Sequence, residues 1–211
     1  MGTQVARDLV ALVPGKDEAA ALTGILSRPE ALGIRAVEAT FQRHPDHDAG
    51  CLLRAHDFLR RECGRFQHAL VMFDHEGCGS EARPREALEQ EVEQRLSRNG
   101  WGDRASVVVV EPELEIWVWT HSPIVERELG WSERAPGLWE HLRAHGYLAP
   151  RQTKPQRPKE AVEEALRLAR KPRSSFLYQR LASKVTLAKC VDPAFVKLRA
   201  TLQRWFGEMA T

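Results

Sequence analysis

The 211-residue sequence lacks the features that mark several classes of protein. Its four cysteines form no CxxC pair, so the sequence suggests neither a zinc knuckle nor a redox motif. No apolar run approaches the roughly 20 residues that a membrane-spanning helix needs. The first apolar stretch contains Arg7 and Asp8 and does not resemble a signal peptide. With 43% hydrophobic and 28% charged residues, we expect a folded cytoplasmic protein with reduced thiols and no membrane partner.

The net charge of +2 conceals an uneven distribution of charge. Residues 1–150 carry 17 Lys and Arg against 24 Asp and Glu, whereas residues 151–211 carry 14 against 5. This division suggests an acidic body that carries chemistry and a basic tail that contacts nucleic acid. Alternatively, the basic segment packs on the acidic body and neutralises it. The candidate nucleic-acid-binding residues are Lys154, Arg157, Lys159, Lys171 and Arg173.

Strand and helix patterns alternate four times between residues 5 and 110. Strands are predicted over 5–13, 33–40, 68–73 and 106–110, and helices over 17–27, 51–63 and 86–96. This order predicts an α/β fold over residues 1–120, with a four-stranded, mainly parallel sheet flanked by helices. Residues 121–211 are predicted to form a mostly helical C-terminal portion with a basic linker near 151–159.

Acidic residues follow three of the four predicted strands. They are Glu18, Asp74, Glu76, Glu113 and Glu115. Because the carboxyl ends of parallel strands meet at one edge of a sheet, we expect these carboxylates to lie close together. Raised pKa values, basic partners or a bound divalent cation would relieve their repulsion, and oxygen ligands suit Mg²⁺ or Mn²⁺. The alternative is that these residues only cap helices or lie on the surface.

A polar segment, residues 44–50, follows the second predicted strand. It contains His44, Asp46, His47 and Asp48, whose imidazole and carboxylate groups suit a transition metal. Neighbouring residues of a short loop rarely converge on one ion, and no cysteine accompanies them. The segment is therefore predicted to be a solvated polar loop.

The acidic segments resemble those of a known family. The strand that leads into Pro14-Gly15-Lys16-Asp17-Glu18 resembles the first motif of Toprim domains. Residues 71–77 resemble their Asp-x-Asp motif, and residues 112–117 are similar to a Glu-x-Trp signature of small bacterial Toprim-like proteins. Several of those proteins belong to phage-defence loci. The region around Tyr178 and residues 189–195 resemble the tail of that group, and the nearest likeness is to the small Toprim-type component of a methylation-associated defence system.

The resemblance implies a Mg²⁺- or Mn²⁺-dependent nuclease, or a related phosphoester-acting subunit, in antiphage defence. Nucleic acid and other defence proteins would be its partners. The implied catalytic residues are Glu18, Asp74, Glu76 and Glu115. The implied metal ligands are Glu18, Asp74, Glu76 and Glu113, and Lys16 would contact phosphate.

The chain departs from the Toprim pattern at two positions. Pro14 stands where the family has a catalytic Glu before the glycine, and Glu76 replaces the second Asp of the Asp-x-Asp motif. Either Glu18 supplies the missing carboxylate, or the protein is a non-catalytic module that binds nucleic acid or a partner protein.

Overall fold

A computed structural model of the chain describes residues 6–188 and 190–207. The predicted α/β architecture is confirmed. Four strands form one sheet in the order β2-β1-β3-β4, and every neighbouring pair is parallel. The strands are β1 (Arg7–Val13), β2 (Ala39–Arg43), β3 (Phe66–Asp74) and β4 (Ala105–Val110). Val5 of the first predicted strand and Lys189 of the predicted tail motif lie outside the described residues.

Nine α-helices accompany the sheet within residues 6–188 and 190–207. They are α1 (Lys16–Leu26), α2 (Pro29–Leu32), α3 (His47–Leu59), α4 (Arg85–Leu96), α5 (Pro123–Leu129), α6 (Leu138–Ala144), α7 (Pro158–Leu168), α8 (Ser175–Lys184) and α9 (Pro193–Phe206). None of these helices is long and apolar enough to cross a membrane. The predicted basic linker is irregular up to Arg157, and α7 begins at Pro158.

Helices cover both faces of the sheet. Successive strand residues point to opposite sides, so the apolar run of β1 contributes to two cores. Leu9 and Ala11 belong to a core that includes α1 and helices of the C-terminal portion, whereas Val10 and Leu12 pack with α3 and α4. All four side chains are fully buried. The C-terminal helices therefore share a hydrophobic core with one face of the sheet.

Two predicted boundaries are wrong. The second strand was expected over 33–40, but Gly33 ends α2 with a left-handed φ of 70°, and β2 begins at Ala39, opposite Leu9. Residues 44–50 were expected to be a loop, but α3 begins at His47. Polar residues fill the first turn of this helix, and its buried face starts only at Gly50, so the apolar pattern appears late in the sequence.

Parallel pairing gathers the loops that follow the strands at one edge of the sheet. Pairing of β3 with β4 continues past the strands, since the His75 N–H donates to the Val110 carbonyl at 2.8 Å. On the other side of the sheet, the His44 N–H donates to the Val13 carbonyl at 2.9 Å. These contacts hold the carboxyl ends of all four strands around one cleft.

Candidate active site

An open cleft of about 810 Å³ lies at the carboxyl edge of the sheet. Residues at or just after the carboxyl ends of all four strands line it, together with the start of α7 and a residue before α8. Five carboxylates face it: Asp17, Glu18, Asp48, Asp74 and Glu115. Basic and imidazole side chains complete the lining: Lys16, Arg43, His44, His47, Lys159 and Arg173. The cleft therefore combines five acids with four Lys and Arg side chains and two imidazoles.

Asp74 is the last residue of β3 and carries an unsatisfied oxygen. Its Oδ1 atom is buried and has no hydrogen-bond partner within the described chain. Its backbone N–H donates to Asp48 Oδ1 at 2.9 Å, which holds the two residues together. Burial raises the pKa of Asp74 well above its ordinary value, and the charges of Glu18, Asp48 and Glu115 raise it further. A proton, a water molecule or a cation would satisfy such an atom.

Glu18 lies in the first turn of α1, beside the same group of acids. Gly15 leaves space for it, because a Cβ at that position would lie 3.0 Å from Glu18 Oε2. Burial raises the pKa of Glu18 to about 7, and the neighbouring charges of Asp48 and Asp17 contribute in the same direction. Burial also raises the pKa of Asp48. Three carboxylates of the cleft therefore resist ionisation when no cation is bound.

Glu115 differs from these acids because basic and hydroxyl donors already engage it. It is buried, and its Oε1 accepts hydrogen bonds from Arg173 Nη2 at 2.7 Å and from the Tyr178 hydroxyl at 2.6 Å. Burial and the Glu115 carboxylate raise the pKa of Tyr178, so this hydroxyl stays protonated. Arg173 Nη2 also contacts Asp17 Oδ2 at 3.2 Å. Arg173 therefore neutralises two of the five acids.

Two acids implied by the resemblance lie outside the lining of the cleft. Glu76 is exposed, because β3 ends at Asp74 and the chain turns at Gly77, whose φ is 87°. Glu113 is buried, and its Oε1 accepts a hydrogen bond from the backbone N–H of Lys159 at 2.9 Å, in the first turn of α7. Burial raises the pKa of Glu113 to about 7. The structure brings Glu18, Asp74 and Glu115 together, but it does not add Glu76 or Glu113 to them.

The basic residues of the tail lie in different environments. Lys159 is exposed on the rim of the cleft, whereas Arg173 is held inside it by acids of the body. Lys171 Nζ donates to the backbone carbonyls of residues 127 and 128, at 3.2 and 3.1 Å. Lys154 lies 3.6 Å from an Asp192 oxygen, and the exposed Arg157 lies over an aromatic ring. At Arg173 the structure therefore agrees with the interpretation in which the basic segment neutralises the acidic body.

Three helices begin at the cleft. These are α1, α3 and α7, and none of their N-cap side chains makes a capping hydrogen bond. The Glu113 carboxylate already accepts from the first turn of α7, whereas the N-termini of α1 and α3 offer partial positive charge that favours anions. Lys16, Arg43 and Lys159 are exposed on the same rim, and their side chains form no ion pair or hydrogen bond within residues 6–188 and 190–207. The rim is therefore suited to phosphate, although the floor is acidic.

Sequence reasoning did not assign Asp48, His44 or His47 to this site. Parallel pairing of β2 places the start of α3 at the cleft, which brings Asp48 to Asp74. His47 has a left-handed φ of 50°, and its Nδ1 lies 3.2 Å from the Pro14 carbonyl, to which it donates. The order of the predicted strands did indicate this placement. In a parallel sheet, the residues after β2 reach the same edge as the residues after the other strands.

The donor set of the cleft fits a hard divalent cation. Glu18, Asp48 and Asp74 offer oxygen atoms only, Asp74 Oδ1 is unsatisfied, and no basic side chain pairs with any of the three in the described part of the chain. However, no three His, Cys, Asp or Glu side chains of that part already surround a single point as metal ligands. Coordination would therefore require rotation of these side chains toward one another.

Comparisons with models of protein families, with characterised proteins and with solved structures find no match to this chain. A proposal about its function must therefore come from the cleft and from the motifs of the sequence.

Proposed function

We propose that the chain is a Mg²⁺- or Mn²⁺-dependent nuclease, or a related phosphoester-acting subunit. The observation that carries this proposal is the unsatisfied Oδ1 of Asp74, beside Glu18 and Asp48, beneath a rim that favours anions. A cation on the floor and a phosphate on the rim would satisfy both groups at once. This distribution of charge is what metal-assisted phosphoester chemistry requires.

Each group of the cleft has a role in this proposal. Glu18, Asp48 and Asp74 would hold the cation, which supplies charge neutralisation and acidification of water when it is bound. Lys16 and the N-terminus of α1 would bind the substrate phosphate, because both present positive charge at the first turn after β1. Lys159 extends this surface from the start of α7. The roles of Glu76 and Glu113 as metal ligands stay predictions, because neither side chain lines the cleft.

A place in antiphage defence is the second part of the proposal. Its support is the resemblance of residues 71–77 and 112–117 to Toprim-like proteins of defence loci. The specific form is the small Toprim-type component of a methylation-associated system, with other defence proteins as partners. Phage plating on cells that express the wild-type chain with its gene neighbours, or the same set with Asp74→Asn, tests this. Protection that is equal in the two strains contradicts a role for the site in defence.

A non-catalytic module is the competing function. Pro14 stands in place of the family's catalytic Glu, and Arg173 and Tyr178 already engage Glu115. Both observations favour a cleft that binds nucleic acid without cutting it. Under this alternative, labelled nucleic acid would bind the protein and be recovered intact.

Cleavage assays separate the two functions. Purified chain is incubated with end-labelled DNA and RNA, single- and double-stranded, with Mg²⁺, Mn²⁺ or a chelator. The proposal predicts cleavage only with metal, its loss in Asp74→Asn, and its retention in Glu30→Gln, whose carboxylate is exposed on α2. Binding without cleavage under every condition supports the module. Neither binding nor cleavage contradicts both functions.

A further inference from the structure

The five acids of the cleft form two groups with different partners. Asp17 and Glu115 contact the Arg173 guanidinium, whereas Glu18, Asp48 and Asp74 pair with no basic side chain in the part of the chain that the structure describes. The wall formed by Asp17 and Glu115 therefore already contains a positive side chain, whereas the three acids of the floor have no such partner within the described residues. This difference bears on how many metal ions the cleft can accept.

Arg173 is fixed from several directions. Its Nη1 donates to Glu163 Oε1 of α7 at 2.8 Å, and its guanidinium lies 5.8 Å from the centre of the Tyr178 ring. Its Nη2 donates to Asp17 and to Glu115. These contacts use both N–H groups of Nη2 and one of Nη1, which leaves the Nε–H and the second Nη1 N–H on different edges of the planar group. The side chain is 33% exposed and lines the cleft.

A metal ion at Glu115 would lie beside the Arg173 guanidinium, whose positive charge would repel it, and it could reach Oε1 only by displacing the two donors bound there. Glu115 Oε1 accepts from both Arg173 and Tyr178, and Glu115 is 3% exposed. A displaced guanidinium would leave Glu163 and the Tyr178 ring without their partner. The guanidinium also keeps N–H donors that can form a charge-assisted hydrogen bond to a phosphate oxygen, which a second metal would otherwise contact.

We propose that Arg173 replaces a second metal ion in the cleft. One divalent cation binds at Glu18, Asp48 and Asp74, and the Arg173 guanidinium takes the place of a second cation at Asp17 and Glu115, with one of its remaining N–H donors directed to a substrate phosphate oxygen. This inference rests on the proposed function, because it assumes that the cleft binds a metal. Arg173 acts here through charge and position, and a purely structural role for it would leave the number of bound cations unchanged.

The number of Mn²⁺ ions bound at saturation tests the inference. Calorimetric titration should give one ion for the wild type and two for Arg173→Gln, since that variant frees Asp17 and Glu115. Arg173→Lys keeps a positive charge and should bind one ion. Arg151→Gln is the matched control, because Arg151 is exposed and lies outside the cleft lining, and it should also bind one ion. Circular dichroism checks that each variant is folded.

Other outcomes contradict the inference in distinguishable ways. One ion in both the wild type and Arg173→Gln shows that Arg173 does not take the place of a cation, while the metal site itself stands. No ion in either protein contradicts the proposed function as well. If Arg173→Gln does not fold, the electron paramagnetic resonance spectrum of wild-type protein saturated with Mn²⁺ decides. An isolated Mn²⁺ signal supports the inference, and a coupled pair of ions overturns it.

Discussion

Replacement of Glu18 by Gln tests the electrostatics on which the cleft proposal depends. Gln keeps the size of the side chain and removes its charge. The pKa of Glu18 is raised from an ordinary 4.5 to about 7, first by burial and then by neighbouring acids. Without metal, we expect the free energy of unfolding of Glu18→Gln, relative to that of the wild type, to be higher at pH 8 than at pH 5.

The size and sign of this effect follow from proton linkage. Between pH 4.5 and about 7 the unfolded chain releases the Glu18 proton while the folded protein retains it. Stability associated with this residue is therefore full below pH 4.5 and is lost as pH rises through about 7. Each pH unit corresponds to about 1.4 kcal/mol, and the difference in bound protons is full only between the two pKa values, so the difference between wild type and Glu18→Gln should change by about 2.5 kcal/mol from pH 5 to pH 8.

Urea unfolding followed by tryptophan fluorescence, in a chelator, measures the effect. Burial lowers the pKa of His44 in the same cleft, so this residue contributes the opposite pH dependence. That contribution is common to both proteins, and it cancels when Glu18→Gln is compared with the wild type at each pH. Glu30→Gln is the control, because Glu30 is exposed and forms no ion pair within the described residues.

An equal effect of Glu18→Gln at pH 5 and pH 8 would refute the reasoning. Glu18 would then ionise in the folded protein as it does in the unfolded chain. In that case neither burial nor the neighbouring acids would resist ionisation, and a cation would not be needed to relieve repulsion in the cleft.

Two further predictions concern the walls and rim of the cleft. Gly50→Ala places a Cβ 1.9 Å from His44 Nδ1, so urea unfolding should show a loss of about 1–3 kcal/mol. Gly64→Ala, with no atom within 4 Å, should show little change, and equal losses would refute the crowding. Lys16→Ala and Lys159→Ala should each weaken binding to single-stranded DNA and lower the salt slope by about 0.7, measured by fluorescence anisotropy. Lys184→Ala, whose lysine pairs with Glu128, is the control, and unchanged slopes would exclude phosphate contacts at the rim.

The fold could be predicted because β1, β3 and β4 are apolar runs buried on both faces. Such runs are typical of parallel strands that helices cover on both faces, which includes the edge strand β4. The edge strand β2 is only half buried, so its apolar pattern is weak, and its start depends on the register with Leu9. The register between two strands depends on tertiary contacts, and the local pattern of a single sequence does not show these.

The site could be predicted only in part, for a related reason. Asp74 follows a strong strand, so its place at the edge of the sheet was visible in the sequence. Asp48 reaches the same edge through β2, but it stands in the polar segment 44–50, which was interpreted as a solvated loop. Arg173 lies far along the chain from Asp17 and Glu115, and the packing of α8 on α1 brings them together. The spacing of these three residues in the sequence does not indicate that contact.

Thermal unfolding of the wild type and Asp74→Asn, with and without Mg²⁺ or Mn²⁺, tests the metal site most directly. At a hundredfold excess over the dissociation constant, a bound cation should stabilise the wild type by about 2.7 kcal/mol, or about 5–10 °C in Tm for a chain of this size. Asp74→Asn should be at least as stable as the wild type without metal, because it removes a buried acid from a repulsive group, and it should gain nothing from metal. A wild type that metal does not stabilise, or an Asp74→Asn variant that metal stabilises equally, contradicts a cation site at Asp74.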